Sequence, residues 1–249
     1  MDFVHVIKQE SIATVVIERG KVNALDNTVV DQLRDAFKEL ERDPSTRAVI
    51  FTGRGKFFSF GFDIPQFIPW PKEDFFAYLV NFTNLYTYLF LYPKPLIAAL
   101  NGHAIAGGCM LALACDHRLM VTGKAKISLN EIGFGSSVFA GSTEMLRFWT
   151  GSANATQILC SGAMYPAEQA LELGLVDQVT TEADLPATAV TVASELGAKD
   201  PSAFASIKGL LRQPVAEAMT RRETDSIREF VDIWYSETTR ANLHGITIR

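Results

Sequence analysis

Apolar and polar residues alternate at the start of the chain, and soon afterwards the apolar ones recur at helical spacing. The alternation over Val4 to Lys8 and over Ile12 to Glu18 predicts two strands joined by a turn at Gln9 to Ser11. In Asn27 to Arg42, the residues Val29, Val30, Leu33, Phe37 and Leu40 share one face, which predicts an amphipathic helix ended by Asp43-Pro44. Ala48 to Thr52 is a short apolar run closed by Gly53, the pattern of a buried strand. Trp70-Pro71 precedes an aromatic-rich helix expected from about Glu73 to Leu91. Its Phe76, Leu79, Phe82, Tyr86 and Phe90 are assigned to the core or to a subunit interface. Leu96 to Leu100 reads as another buried strand. It runs into a turn of small residues (Gly102, Ala104, Ala106, Gly107, Gly108) and then into an apolar helix beginning near Cys109.

Strands are expected again at His117 to Val121 and Ala125 to Leu129. From Ser142 onward the periodicity is almost wholly helical, with Asp200-Pro201 and Gln213-Pro214 as punctuation. Short strands alternating with helices imply an α/β fold with a layered or spiral sheet. A strand-rich core therefore gives way to a helical tail, with no domain boundary before about residue 190 and no repeat evident in the residues themselves.

Composition removes several function classes. The 249 residues are 48% hydrophobic and 20% charged, ordinary values for a globular protein that can bury a sizeable core. A net charge of -5 argues against nucleic acid as a partner. The longest apolar runs are too short or too interrupted to span a bilayer, so no membrane partner is expected. The opening MDFVHVIKQE alternates like a strand and carries no basic then apolar leader, so a cytoplasmic location is expected. Cys109, Cys115 and Cys160 lack metal-like spacing and are expected as buried free thiols. The four histidines are scattered, and His103, in the small-residue turn, is read as structural.

The chemistry concentrates in PKPLIAALNGHAIAGGCMLALACD at Pro93 to Asp116 and in FFSFGFDI at Phe57 to Ile64. The first turn of a helix has N–H donors without intrahelical partners, and glycines let a ligand oxygen approach the backbone closely. An oxygen gaining negative charge would be stabilised there. Gly107 and Gly108 alone would be read as packing residues. Taken jointly, however, the two segments resemble the signature segments of the enoyl-CoA hydratase/isomerase family, the crotonase superfamily. The resemblance extends from KVNALDN at Lys21 to Asn27, through RAVIFTGRGKFFSFGFDI, to AEQALELGLVDQV at Ala167 to Val179. It implies a spiral of repeated ββα units over residues 1–190 and a C-terminal helical region, 191–249, that makes homotrimers or dimers of trimers. It also implies an acyl-CoA substrate and no separate cofactor, CoA being part of the substrate.

By that resemblance the backbone N–H groups of Phe62 and Gly107 form an oxyanion hole for the thioester carbonyl. CoA is expected along Ser59 to Phe62, with Lys21 and Lys56 near its phosphates and Arg54 a weaker candidate. Phe60 and Phe62 stand where the family has small or aliphatic residues, and they either stack on adenine or narrow the acyl entrance. Asp63 is expected to secure the turn by accepting backbone N–H groups.

The resembling hydratases carry two glutamates. Here the first position is Met110, whose thioether moves no proton. The second is retained as Glu131 in ISLNEIGFG, where Ile127, Leu129, Ile132 and Phe134 suggest an apolar setting that raises its pKa. One carboxylate suffices to move a proton from C2 to C4, so the chain looks like the Δ3,Δ2-enoyl-CoA isomerase branch, with Glu131 as base and Met110 in the substrate pocket. SSVFAGST at Ser136 to Thr143 departs from the hydratase pattern and implies a reshaped acyl pocket. A hydratase or another lyase or hydrolase of the superfamily is the alternative. A non-catalytic acyl-CoA-binding protein is the alternative of another class.

Overall fold

The strands of the main sheet follow one another in space as they do along the chain. In this computed structural model, which describes residues 1–245, β1 (Val4–Gln9) and β2 (Ile12–Ile17) form an antiparallel hairpin. After β3 (Ala24–Leu25) and helix α1 (Asn27–Arg42), β4 (Ala48–Gly53) pairs with β2 in parallel. Short elements β5 (Phe57–Ser59), β6 (Gly61–Phe62) and α2 (Ile64–Phe67) precede the long α3 (Lys72–Phe90) and then β7 (Leu96–Leu100). β8 (His103–Ile105), α4 (Gly107–Leu113), β9 (His117–Val121) and β10 (Ile127–Ser128) complete the strand-rich part. A 3-10 turn at Glu131–Phe134 opens the helical part, which contains α5 (Ala140–Ser161), α6 (Ala167–Glu172), β11 (Gln178–Thr180), α7 (Leu185–Gly197), α8 (Pro201–Trp234) and α9 (Glu237–His244).

The main sheet runs β1-β2-β4-β7-β9-β11 and is parallel beyond its first pair. A second parallel sheet, β10-β8-β5, takes the short strand that follows each of β4, β7 and β9, while β3 pairs with β6. This is the spiral of ββα units that the resemblance implies. The repeat lives in strand placement, so it was invisible as residue identity.

Local signals account for most elements. In α1 all five expected apolar residues are buried, the Asp26 carboxylate accepts the Val29 N–H at 2.9 Å as N-cap, and Asp43 is the C-cap. β7 is buried along its whole length, as a parallel strand covered on both faces must be. In the helix after Trp70-Pro71, Leu79, Phe82, Tyr86 and Phe90 are buried as expected, whereas Phe76 is only half-buried and its neighbour Phe75 is the buried ring of that turn.

Five further differences are found. β8 lies inside the stretch read as a turn, because three residues between glycines carry no periodicity of their own. β11 interrupts the helical tail and pairs with β9, Val179 opposite Met120. Pro214 does not end a helix: α8 runs through it, held on both sides of the proline by packing on α5 and α3. The strand expected over Ala125 to Leu129 is confined to Ile127–Ser128, and Cys160 is exposed where a buried thiol was expected.

The C-terminal helices rest on the core. α7 spans residue 190 and packs on β4 and β7, so the chain is continuous helix where the 191–249 region was expected to begin. Residues 246–249 of that region lie outside the described residues. Among the described residues no helix is long and apolar enough to cross a membrane.

Candidate active site

A buried polar relay shapes the segment that carries Phe62. Asn23, fully buried with φ 52°, donates to the carbonyls of Arg54 (3.0 Å) and Phe57 (2.8 Å) and accepts the Arg19 N–H at 3.0 Å. Its own carbonyl accepts the Ser59 hydroxyl at 2.8 Å, and that hydroxyl accepts the Gly61 N–H at 3.1 Å. The Arg19 guanidinium then joins Asp26 (2.9 Å) and Asp63 (2.8 Å) and donates to the Ala24 carbonyl at 3.0 Å. Asp63 also caps α2 by accepting the Gln66 N–H at 3.4 Å, the structural role expected of it. Asn23 and Arg19 were not singled out from the sequence. The polar Asn23 inside the otherwise apolar VNAL run was the available signal.

Two backbone stretches meet at this point. Leu25 pairs with Phe62, and the Asp63 N–H donates to the Leu25 carbonyl at 3.0 Å. Successive amides of an extended strand point to opposite sides, so the Phe62 N–H faces away from β3. Gly61 has φ 94°, and a Cβ there would lie 2.8 Å from the Ile105 carbonyl oxygen and 3.0 Å from the Gly107 nitrogen. Only glycine allows β6 to lie that close to the start of α4. A Cβ on Gly108 would likewise sit 2.3 Å from the Ser59 carbonyl oxygen.

Ala106, which precedes α4, adopts φ 49° and ψ -117°, a strained backbone for a residue with a side chain. Its N–H donates to the Ser128 carbonyl at 2.8 Å and its carbonyl accepts the Met110 N–H at 3.0 Å. The Gly107 amide follows this anchored, strained peptide and lies too early in the helix for an intrahelical partner.

Glu131 opens the 3-10 turn and is 4% exposed. Its Oε2 has no hydrogen-bond partner among the described residues, and burial pushes its pKa up to about 8. The apolar setting comes from Ile127 and Leu129, both buried, whereas Ile132 is half-exposed and contributes little. Ser136, whose N–H donates to the Glu131 carbonyl at 3.0 Å, has a buried hydroxyl that is also unpartnered, and so is the Asn130 Oδ1. α9 covers the turn from the same chain: Thr239 donates to the Gly135 carbonyl at 2.6 Å and Asn242 to the Phe134 carbonyl at 3.2 Å.

The remaining expected residues divide into two sets. Met110 is buried, 1% exposed, one turn along α4 from Gly107. Lys21 and Lys56 are exposed and take part in no ion pair among the described residues, while Arg54 pairs with Glu18 at 3.2 Å. Ser59 is fully buried and its hydroxyl is occupied, so its side chain is not free to contact a ligand. Phe60 is half-buried beside Phe57, whose ring packs at a tilt against His103 with 4.9 Å between centroids.

A model of the family described as enoyl-CoA hydratase/isomerase matches residues 7–246. The chain is 31% identical over 244 residues to a carnitinyl-CoA dehydratase of Escherichia coli strain K12, covering 94% of this chain and 90% of the relative. A probable enoyl-CoA hydratase of Bacillus subtilis strain 168 is 31% identical over 213 residues, covering 85% of this chain and 82% of the relative. The solved human mitochondrial delta3-delta2-enoyl-CoA isomerase superposes with a TM-score of 0.89 at 26% identity, covering 98% of this chain and 96% of that one.

Proposed function

Because the chain belongs to the enoyl-CoA hydratase/isomerase family, we propose that it shifts the double bond of a 3-enoyl-CoA to the 2-trans position through a thioester enolate, with Glu131 as base. One observation carries this reading. An enclosed carboxylate with an unpartnered oxygen and a raised pKa stands at the second of the two family carboxylate positions, and a buried thioether stands at the first.

The ionised Glu131 removes a proton from C2, and the C–H electron pair moves into the thioester. Negative charge then rests on the carbonyl oxygen between the N–H groups of Phe62 and Gly107, each donor worth roughly 3 to 4 kcal/mol in the transition state. The carboxyl keeps its proton because burial disfavours the charged form. It delivers that proton to C4, the electron pair returns, and the double bond lies between C2 and C3. No atom is gained or lost, and CoA, as part of the substrate, is the sole carrier group.

We assign the CoA half to the exposed edge where Lys21 and Lys56 stand, with adenine along the backbone of Ser59 to Phe62 and beside Phe60. A cytoplasmic homotrimer or dimer of trimers, joined through the C-terminal helices, is part of the same proposal and rests on family likeness.

The second reading is addition of water to a 2-enoyl-CoA. It is favoured by the buried, unpartnered Ser136 hydroxyl and Asn130 oxygen in the turn that carries Glu131, since such groups are the partners of an enclosed water. A mass-resolved assay with 3-enoyl-CoA and 2-enoyl-CoA in deuterated water separates the two. Conversion of the 3-enoyl to the 2-enoyl ester without the mass of water is expected. A hydrated product would overturn the isomerase.

A further inference from the structure

The ring of Phe62 lies against the second amide of its own proposed oxyanion hole. A Cβ on Gly107 would be 3.1 and 3.3 Å from the Phe62 Cε1 and Cδ1 atoms, so the ring covers that residue's Cα. Phe62 is 7% exposed and is held edge-on by Phe82 (4.9 Å between centroids), Tyr78 (5.2 Å) and Phe67 (6.2 Å). Phe139 closes the fourth side at 6.3 Å.

Phe139 belongs to the segment that begins with Glu131, so the rings bridge the amide side of the site and the base side. Its position is fixed from α8. The Ala140 N–H donates to the Ser226 hydroxyl at 2.9 Å, the Gly141 N–H donates to the Glu223 carboxylate at 2.6 Å, and Phe139 packs on Phe230 at 4.6 Å. Edge-on aromatic pairs resist displacement beyond their buried area, and interior packing leaves no slack for an added chain.

We infer that the acyl group taken by this site is short, of the butyryl to hexenoyl class, because a chain that continues past C6 between Phe62 and the segment after Glu131 meets this aromatic block. Phe62 is then a specificity residue through its ring and an oxyanion donor through its N–H. The inference rests on the proposed acyl-CoA site, and a binding measurement separates its failure from that of the isomerase reading.

Rates for 3-hexenoyl-CoA and 3-dodecenoyl-CoA, and affinities for butyryl-CoA and dodecanoyl-CoA, test it on the whole chain. The wild type is expected to prefer the hexenoyl ester by about 100-fold in kcat/KM or more, the scale at which a pocket rejects excess methylenes. Phe62→Ala, or Phe62→Leu should the larger change fail to fold, is expected to narrow that ratio by raising the dodecenoyl rate. Equal use of both esters by the wild type would overturn the length limit, and an unchanged ratio in a folded Phe62 variant would overturn the role given to its ring. If neither ester turns over, butyryl-CoA binding without dodecanoyl-CoA binding keeps the limit and rejects the isomerase. Equal binding of the two, or binding of neither, rejects the limit.

Discussion

Two carboxylates within a short span of chain are largely withdrawn from solvent, Glu131 buried and Asp116 with its side chain 11% exposed, and the fold treats them in opposite ways. Asp116, after α4, accepts from the Leu96 N–H at 2.8 Å and pairs with Lys208 and Arg212, each at 2.9 Å. Arg212 also donates to the Phe90 carbonyl at 2.8 Å and the Ala114 and Cys115 carbonyls at 3.2 Å, and its guanidinium lies 4.5 Å from the Phe90 ring centroid. One carboxylate thereby ties α8 to the ends of α3 and α4. Glu131 has no such partner for Oε2 and is pushed toward its neutral form. A chain that can surround a buried acid with cations does so where the fold is being held. It leaves one bare where the proposed chemistry needs a proton carrier.

The sharpest way to break the comparison is to remove the bare acid. Glu131→Gln is expected to lower isomerisation by about 10²- to 10⁴-fold, the contribution of a positioned base, while acyl-CoA affinity measured by calorimetry stays nearly intact. The same variant tests the electrostatics. An unfolded Glu131 loses its proton near 4.5, whereas the folded one holds it to about 8. Between those values the folded state binds the extra proton, so stability falls as pH rises through this window and levels off above about pH 8. The full drop corresponds to about 5 kcal/mol as an order of magnitude. Glutamine does not titrate, so urea unfolding should find the variant equal to wild type near pH 4 and several kcal/mol more stable near pH 9. A difference independent of pH would mean that Glu131 is not the unpaired group.

Removing the paired acid should do the reverse. Asp116→Ala leaves Lys208 and Arg212 buried without their counter-charge and is expected to cost about 3 to 5 kcal/mol of stability at neutral pH, read from the urea midpoint. Turnover per folded molecule should be little affected, since the ion cluster reaches α3, α8 and the far end of α4 rather than Gly107. A small stability loss would show that Asp116 is dispensable and that the contrast with Glu131 is one of burial alone.

The same division explains what could be read from the sequence. α1 and β7 were legible to the residue because each repeats one spacing or one apolar run over several positions. β8 and β11, three residues each, depend on partners far along the chain and have no local signature. The resemblance pointed to Phe62, Gly107, Met110 and Glu131 because they sit in or beside ordered motifs. The Arg19, Asn23 and Ser59 contacts that shape the Phe62 segment, and the Asp116 cluster behind α4, were not legible. Charged and amide side chains of these types are usually solvated, and only the folded chain shows which are enclosed.

A smaller version of the comparison concerns two residues with almost the same positive φ. Asn23, at 52°, is of a type that tolerates left-handed backbone, and it spends its whole side chain on hydrogen bonds. Ala106, at 49° with ψ -117°, has no side-chain compensation and stands immediately before Gly107. Ala106→Gly relieves strain of about 1 to 3 kcal/mol, offset by about 0.5 to 1 kcal/mol of added freedom in the unfolded chain. A net gain of about 1 kcal/mol is expected from thermal unfolding. Turnover should change little, because the bonds from Ala106 to Ser128 and Met110 hold the peptide with or without a Cβ. A gain in stability accompanied by a loss of turnover would instead mean that the methyl group itself aims the Gly107 amide. The strain at Ala106 would then be part of the site, as the bare carboxylate of Glu131 is proposed to be.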